Sequence, residues 1–121
     1  MFTFNPTTMA MSLSKGDTAS FDITATGDVT FTSEDRAVFT VKDKKGAVVK
    51  ETVATLDSDK TFRVYFLNAD TEDLKVGTYQ WDVRYVFGAD FDSLGHVVNG
   101  DSVITPMTPK DFNLLATVGD I

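Results

Sequence analysis

Leu74-Lys75-Val76-Gly77-Thr78-Tyr79-Gln80-Trp81-Asp82-Val83-Arg84-Tyr85-Val86-Phe87 is the stretch whose reading decides the fold. Tyr79, Trp81, Val83, Tyr85 and Phe87 alternate with Gln80, Asp82 and Arg84, which is the period-two pattern of a strand with one buried face. Immediately upstream, Asp70 or Thr71 can cap a single helical turn that Gly77 ends. The chain therefore reads here as a turn feeding a long, aromatic-rich core strand.

The same alternation spreads outward in both directions. Met9, Met11 and Leu13 share one face of a strand over Thr8–Ser14, and Lys15-Gly16-Asp17 turns the chain. Phe21, Ile23 and Ala25 mark a second strand, and Ala37, Phe39 and Val41 a third that ends at the hairpin turn Asp43-Lys44-Lys45-Gly46. A strand over Val48–Leu56, the turn Asp57-Ser58-Asp59-Lys60 and a strand carrying Phe62, Val64 and Phe66 follow. Beyond the deciding stretch, Gly88–Asp101 reads as a long polar loop. Strands over Val103–Met107 and Phe112–Val118, interrupted by Pro106 and Pro109, suit a sheet edge.

Seven or eight short antiparallel strands with turns between them predict an all-β sandwich or barrel. The corner favours the sandwich. In immunoglobulin-type domains a tyrosine near the start of strand F sends its hydroxyl back to the backbone at the E–F corner, and Leu74, Gly77, Tyr79 and Trp81 stand at matching spacings. The expectation is an immunoglobulin-like β-sandwich with one short helical turn, forming a single domain over residues 1–121, with 1–7 as an extended arm. Phe2 and Phe4 would let that arm add a strand to a neighbour.

Composition narrows the function. In 121 residues there is no cysteine, which excludes disulfides and thiolate metal sites. Ten Phe, three Tyr and one Trp fit a packed core. The net charge of −7 argues against nucleic-acid binding, and no stretch is long and apolar enough to span a membrane. The opening residues lack the basic and apolar regions of a secretory signal.

No catalytic constellation is expected. His96 is the only histidine, it sits in the polar loop, and no Gly-x-Ser-x-Gly elbow accompanies it. Asp90, Asp92 and Asp101, with Asn99, offer oxygens for calcium, but the closing Glu of a calcium loop is missing and solvated turn aspartates are the commoner case. The row Tyr79-Trp81-Tyr85-Phe87 is assigned to the core and not to a sugar-stacking platform. Lys42, Lys44, Lys45, Lys50 and Lys60 read as a solvated edge that discourages sheet-to-sheet association. No cofactor is expected.

Lys15-Gly16-Asp17-Thr18, Asp35-Arg36-Ala37-Val38-Phe39-Thr40-Val41-Lys42-Asp43, Gly77-Thr78-Tyr79-Gln80-Trp81-Asp82-Val83-Arg84-Tyr85 and Gly100-Asp101-Ser102-Val103-Ile104-Thr105-Pro106 carry a resemblance. They look like short proteins of tailed-phage and prophage structural modules and are similar to the immunoglobulin-like N-terminal domain of phage baseplate upper proteins. The similarity runs from Met9 to Val118. It implies a non-enzymatic virion component of tail, baseplate or capsid, multimeric in the particle, assembled in the host cytoplasm and contacting other virion proteins through loops and strand edges. A baseplate upper protein continues into a fibre region, whereas this sequence stops at Ile121, so a stand-alone component is expected. The competing expectation is a carbohydrate-binding or cell-surface adhesion module.

Overall fold

The computed structural model describes residues 1–117. Eleven strands and one helical turn follow in order: β1 Phe2–Phe4, β2 Met11–Ser14, β3 Ala19–Thr24, β4 Arg36–Lys42, β5 Val48–Ser58, β6 Thr61–Phe66, α1 Asn68–Thr71, β7 Gly77–Phe87, β8 Asp90–Phe91, β9 Val97–Asn99, β10 Ser102–Ile104 and β11 Lys110–Leu115. Among the described residues no helix is long and apolar enough to cross a membrane.

The pairing order is β1-β2-β11-β7-β4-β5-β6-β3, with β10 beside the far half of β7. β5 joins the two layers. Its residues Val48–Ala54 pair with β4, and residues 55–58 pair with β6 across a register shift between Leu56 and Ser58. The larger layer (β1, β2, β11, β7, β4, β5) thus folds over the smaller one (β5, β6, β3), giving an all-β, sandwich-like body. Inward residues of both layers interdigitate. Phe39 of β4 meets Phe66 of β6 at 5.8 Å and Phe21 of β3 at 5.3 Å between ring centroids, and Phe31 meets Phe62 at 4.6 Å. Tyr79, Trp81, Val83 and Tyr85 are all buried along β7, and Phe87 stacks on Phe31. The aromatic row belongs to the core, as its alternation requires.

Several boundaries differ from the sequence reading. The pairing is mixed: β2 runs parallel to β11. The chain leaves β2 for the smaller layer and returns beside it only after β7 and the long loop, so the two strands meet pointing the same way. The strand expected over Thr8–Ser14 is β2 and begins at Met11, because Met9 takes φ 61°, a left-handed conformation that costs a non-glycine residue about 1–3 kcal/mol. That geometry aims the Met9 carbonyl at the indole Nε1 of Trp81, which donates to it at 3.1 Å. Within residues 1–7, β1 folds back and pairs with β2, Phe2 opposite Leu13 and Phe4 opposite Met11. β10 stops before Pro106 and β11 ends at Leu115, short of Ala116 and Thr117 in the expected strand, whose last residue, Val118, lies outside the described residues.

The helical turn also starts earlier than expected. Leu67 precedes it, and Asp70, instead of capping from in front, accepts the Leu67 N–H at 2.7 Å from the turn's third residue. Gly77 opens β7 and does not end the turn. Thr71 is buried because its Oγ1 accepts the Gly16 N–H at 2.8 Å, while Asn68 Nδ2 donates to the Gly16 carbonyl at 2.7 Å. The two bonds clamp the β2–β3 turn onto the corner. Gly16 itself has φ 82°, where a β-carbon is disfavoured.

Two of the expected solvated-edge lysines are engaged in the body. Lys50 Nζ pairs with Asp70 at 2.9 Å and lies 4.9 Å from the Phe66 ring centroid. Lys60 Nζ donates to the carbonyls of Gly27 and Val29, both at 2.9 Å, and so ties down the loop after β3.

Candidate interaction surface

Gly88–Asp101 is not an irregular loop. It contains the β8–β9 hairpin, with Asp90 opposite Asn99 and Phe91 opposite Val97. Asp92 builds its tip: one carboxylate oxygen accepts the N–H groups of Leu94 and His96, both at 2.9 Å, while its backbone exchanges bonds with His96 and Gly95. The second oxygen lies 3.6 Å from His96 Nδ1. Side-chain oxygens of Asp suit such turns because they substitute for a backbone acceptor.

The His96 N–H first, then that of Leu94 and the imidazole charge, hold the Asp92 carboxyl below its ordinary value of 3.8. A depressed carboxylate adds order above its unfolded-state value, and that order is lost as pH falls through the folded-state value. The tip should therefore stay closed at pH 3.8 and open below it. An NMR acid titration of the Leu94 and His96 amides checks this: midpoints under 3.8 are expected, and midpoints at or above it contradict the bonding.

The hairpin is braced against the body. The Arg36 guanidinium lies 5.1 Å from the Phe91 ring centroid, the Ala89 N–H donates to the Glu34 carbonyl at 2.8 Å, and the Asp101 N–H donates to the Phe87 carbonyl at 2.8 Å. Gly100 passes so close to β7 that a β-carbon there would lie 2.5 Å from Val86 Cγ1, which requires glycine at this crossing. Asp35, buried at 6% exposure, receives the Gly88 N–H at 3.0 Å and the Thr32 N–H at 2.8 Å. Asp35 is thus a buried anchor between the loop before β4 and the base of the hairpin.

Between this hairpin and the outer face of β4, β5 and β7 runs a shallow groove of about 260 Å³. Val38 and Val86 line it together with Val48, Val97, Val98 and Val103, and charged side chains, Lys42, Glu51, Asp82 and Arg84, flank it. Val48, Val98 and Val103 are each at least half exposed, and Leu94 at the hairpin tip is 79% exposed. The signal for this surface was present: Val86 breaks the outward polar run Gln80, Asp82, Arg84.

The calcium candidates do not converge. Asp92 spends its oxygens on the turn, Asp90 lies exposed within β8, and Asp101 leans on Gly88. No group of three or more His, Asp or Glu side chains placed for a metal occurs among the described residues. His96 is exposed at the hairpin tip beside Asp92. A polar depression of about 410 Å³ on the outer face includes Thr40, Lys42, Gln80, Asp82 and Asp111, but its nearest rings, Tyr79 and Trp81, are buried and offer no stacking face.

At the corner, Leu74 is half-buried against the core and the Tyr79 hydroxyl donates to the Lys75 carbonyl at 2.6 Å. Removing that one bond in Tyr79→Phe should cost about 1 kcal/mol. A lower urea midpoint at unchanged slope checks it, and an unchanged midpoint contradicts it.

What the fold presents is thus a sandwich-like all-β body with a braced, apolar-tipped hairpin beside a valine-lined groove. Compared with protein families, curated proteins and solved structures, the chain matches none.

Proposed function

We propose that this chain is an immunoglobulin-like sandwich serving as a non-enzymatic structural component of a tailed-phage virion, held in tail, baseplate or capsid by protein–protein contacts. Three features support the immunoglobulin-like reading: the Tyr79–Lys75 bond at the corner, the pairings β3–β6 and β4–β7–β11, and the parallel approach of β2 to β11. The virion role follows the resemblance of the segments around Lys15, Asp35, Gly77 and Gly100 to phage structural modules.

The single observation that carries the contact role is the braced hairpin beside its valine-lined groove. An exposed leucine on a hydrogen-bonded turn and a row of half-exposed valines offer apolar area for a partner to cover. The flanking charges give such an interface a polar rim. In this reading the protein works in several copies, with other virion proteins as partners, and is assembled in the host cytoplasm.

Val98→Asp tests this. It puts a charge in the groove without touching the core, so the melting temperature should stay near wild type while incorporation into particles falls. Full incorporation of the folded variant would remove this surface from the proposal.

A further inference from the structure

The first strand and its seat point to a second copy of this chain. β1 lies on β2 in register Phe2–Leu13, Thr3–Ser12, Phe4–Met11, and the Phe2 ring stacks on Phe21 of the smaller layer at 5.4 Å with planes only 4° apart. β1 thus covers the open side of the body between β2 and β3. The cover is incomplete. A cavity of about 360 Å³, bordered by Phe4, Met9, Phe21 and Ile23, remains beside it, and Phe4 is 44% exposed.

The connection from β1 to β2 is the loop Asn5–Ala10, closed by Asn5 N–H to the Ala10 carbonyl and Met9 N–H to the Asn5 carbonyl. Closing it forces Met9 to φ 61°. In an extended loop Met9 returns to the β region and that strain disappears. Fully extended, Asn5–Ala10 spans about 20 Å, enough to carry β1 away from its own body and onto a neighbour's.

We infer that β1 is an exchangeable arm: in a dimer of this chain, β1 of each copy pairs with β2 and stacks on Phe21 of the other. The seat in a second copy is chemically identical to the one β1 occupies in its own, so the contacts made are the same in both states. The balance rests on the loop, where short strained hinges favour exchange. The opposing term is the Trp81 indole bond to the Met9 carbonyl, which the closed loop holds and an open loop must re-form or give up. Loop bonds at the exposed surface are replaced by water at little cost. High local concentration shifts the balance toward exchange. The inference stands on β1 and its seat and is independent of the virion role.

Cysteine variants decide it, since the native chain has none. Thr3, on the edge strand β1, is the register partner of Ser12 on β2, so Thr3→Cys and Ser12→Cys are placed to cross-link the two strands without entering the core. The two single variants, folded by circular dichroism, are mixed at high concentration and mildly oxidised. The expected result is a disulfide-linked heterodimer well in excess of the homodimers each variant forms alone. The double variant, oxidised as a monomer, should stay monomeric in sedimentation where wild type shows a concentration-dependent dimer. Met9→Gly, which relaxes the closed loop, should lower the dimer fraction several-fold. Wild type that sediments as a monomer at every concentration, or that dimerises while the mixture gives no excess heterodimer, overturns the exchange.

Discussion

Phe66→Ser should unfold the domain at moderate temperature, whereas Arg63→Ser, three residues earlier on the same strand, should leave the melting curve close to wild type. Phe66 is 1% exposed and joins both layers: its ring lies 5.8 Å from Phe39, 5.5 Å from Phe112 and 6.3 Å from Phe21. Truncating such a ring costs about 3–5 kcal/mol through lost burial and the cavity left behind. The serine hydroxyl adds an unsatisfied polar group, and Lys50 loses the ring beneath its ammonium. Against a total stability of about 5–15 kcal/mol, this is a large share, equivalent to a melting temperature lower by roughly 10–25 °C. Arg63 points outward and pairs with Asp22 at 2.8 Å, an exposed ion pair of the kind that contributes little. Differential scanning calorimetry on both variants checks the contrast, and equal melting temperatures would contradict the register of β6.

The second large effect is expected at Asp35. Asp35→Ala leaves the Thr32 and Gly88 N–H groups without their acceptor and also frees the Thr32 hydroxyl, which lies 3.3 Å from the carboxylate. A fully buried donor stranded in this way costs about 1–3 kcal/mol; both donors here are part-buried, which places the combined loss toward the low end, about 2 kcal/mol. The damage should be local as well as global, because Asp35 connects the loop before β4 to the base of the β8–β9 hairpin. Amide exchange at Gly88 and Ala89 should accelerate beyond the change in overall stability. Asp35→Asn keeps one carbonyl acceptor and should fall between wild type and alanine. Exchange at Gly88 that tracks global unfolding alone would show that Asp35 does not brace the hairpin.

The core was legible because its signal is local. Alternation along Tyr79–Phe87 assigns each side chain to a face without knowledge of its neighbours, and burial follows that assignment at Tyr79, Trp81, Val83 and Tyr85. What stayed hidden depends on contacts between distant segments. The parallel pairing of β2 with β11 leaves no periodic trace in either strand. The strand expected from Thr8 starts later, at Met11, after a left-handed turn at Met9 whose carbonyl meets the Trp81 indole far along the chain. Lys50 and Asp35 are charged, and a single sequence places charges at the surface; both are held inside by partners that only the fold supplies. The hairpin tip was half visible. Asp92 and Gly95 mark a turn, but nothing in Gly88–Asp101 announces that it is braced or that Leu94 is left outside.

The proposed virion role is tested most directly by mass spectrometry of phage particles purified from lysates of cells that carry the gene. Peptides of this chain should rise and fall with the major structural proteins across a density gradient, at a level corresponding to multiple copies per particle. Particles free of the chain, with all of it recovered in the soluble lysate, would contradict the assignment.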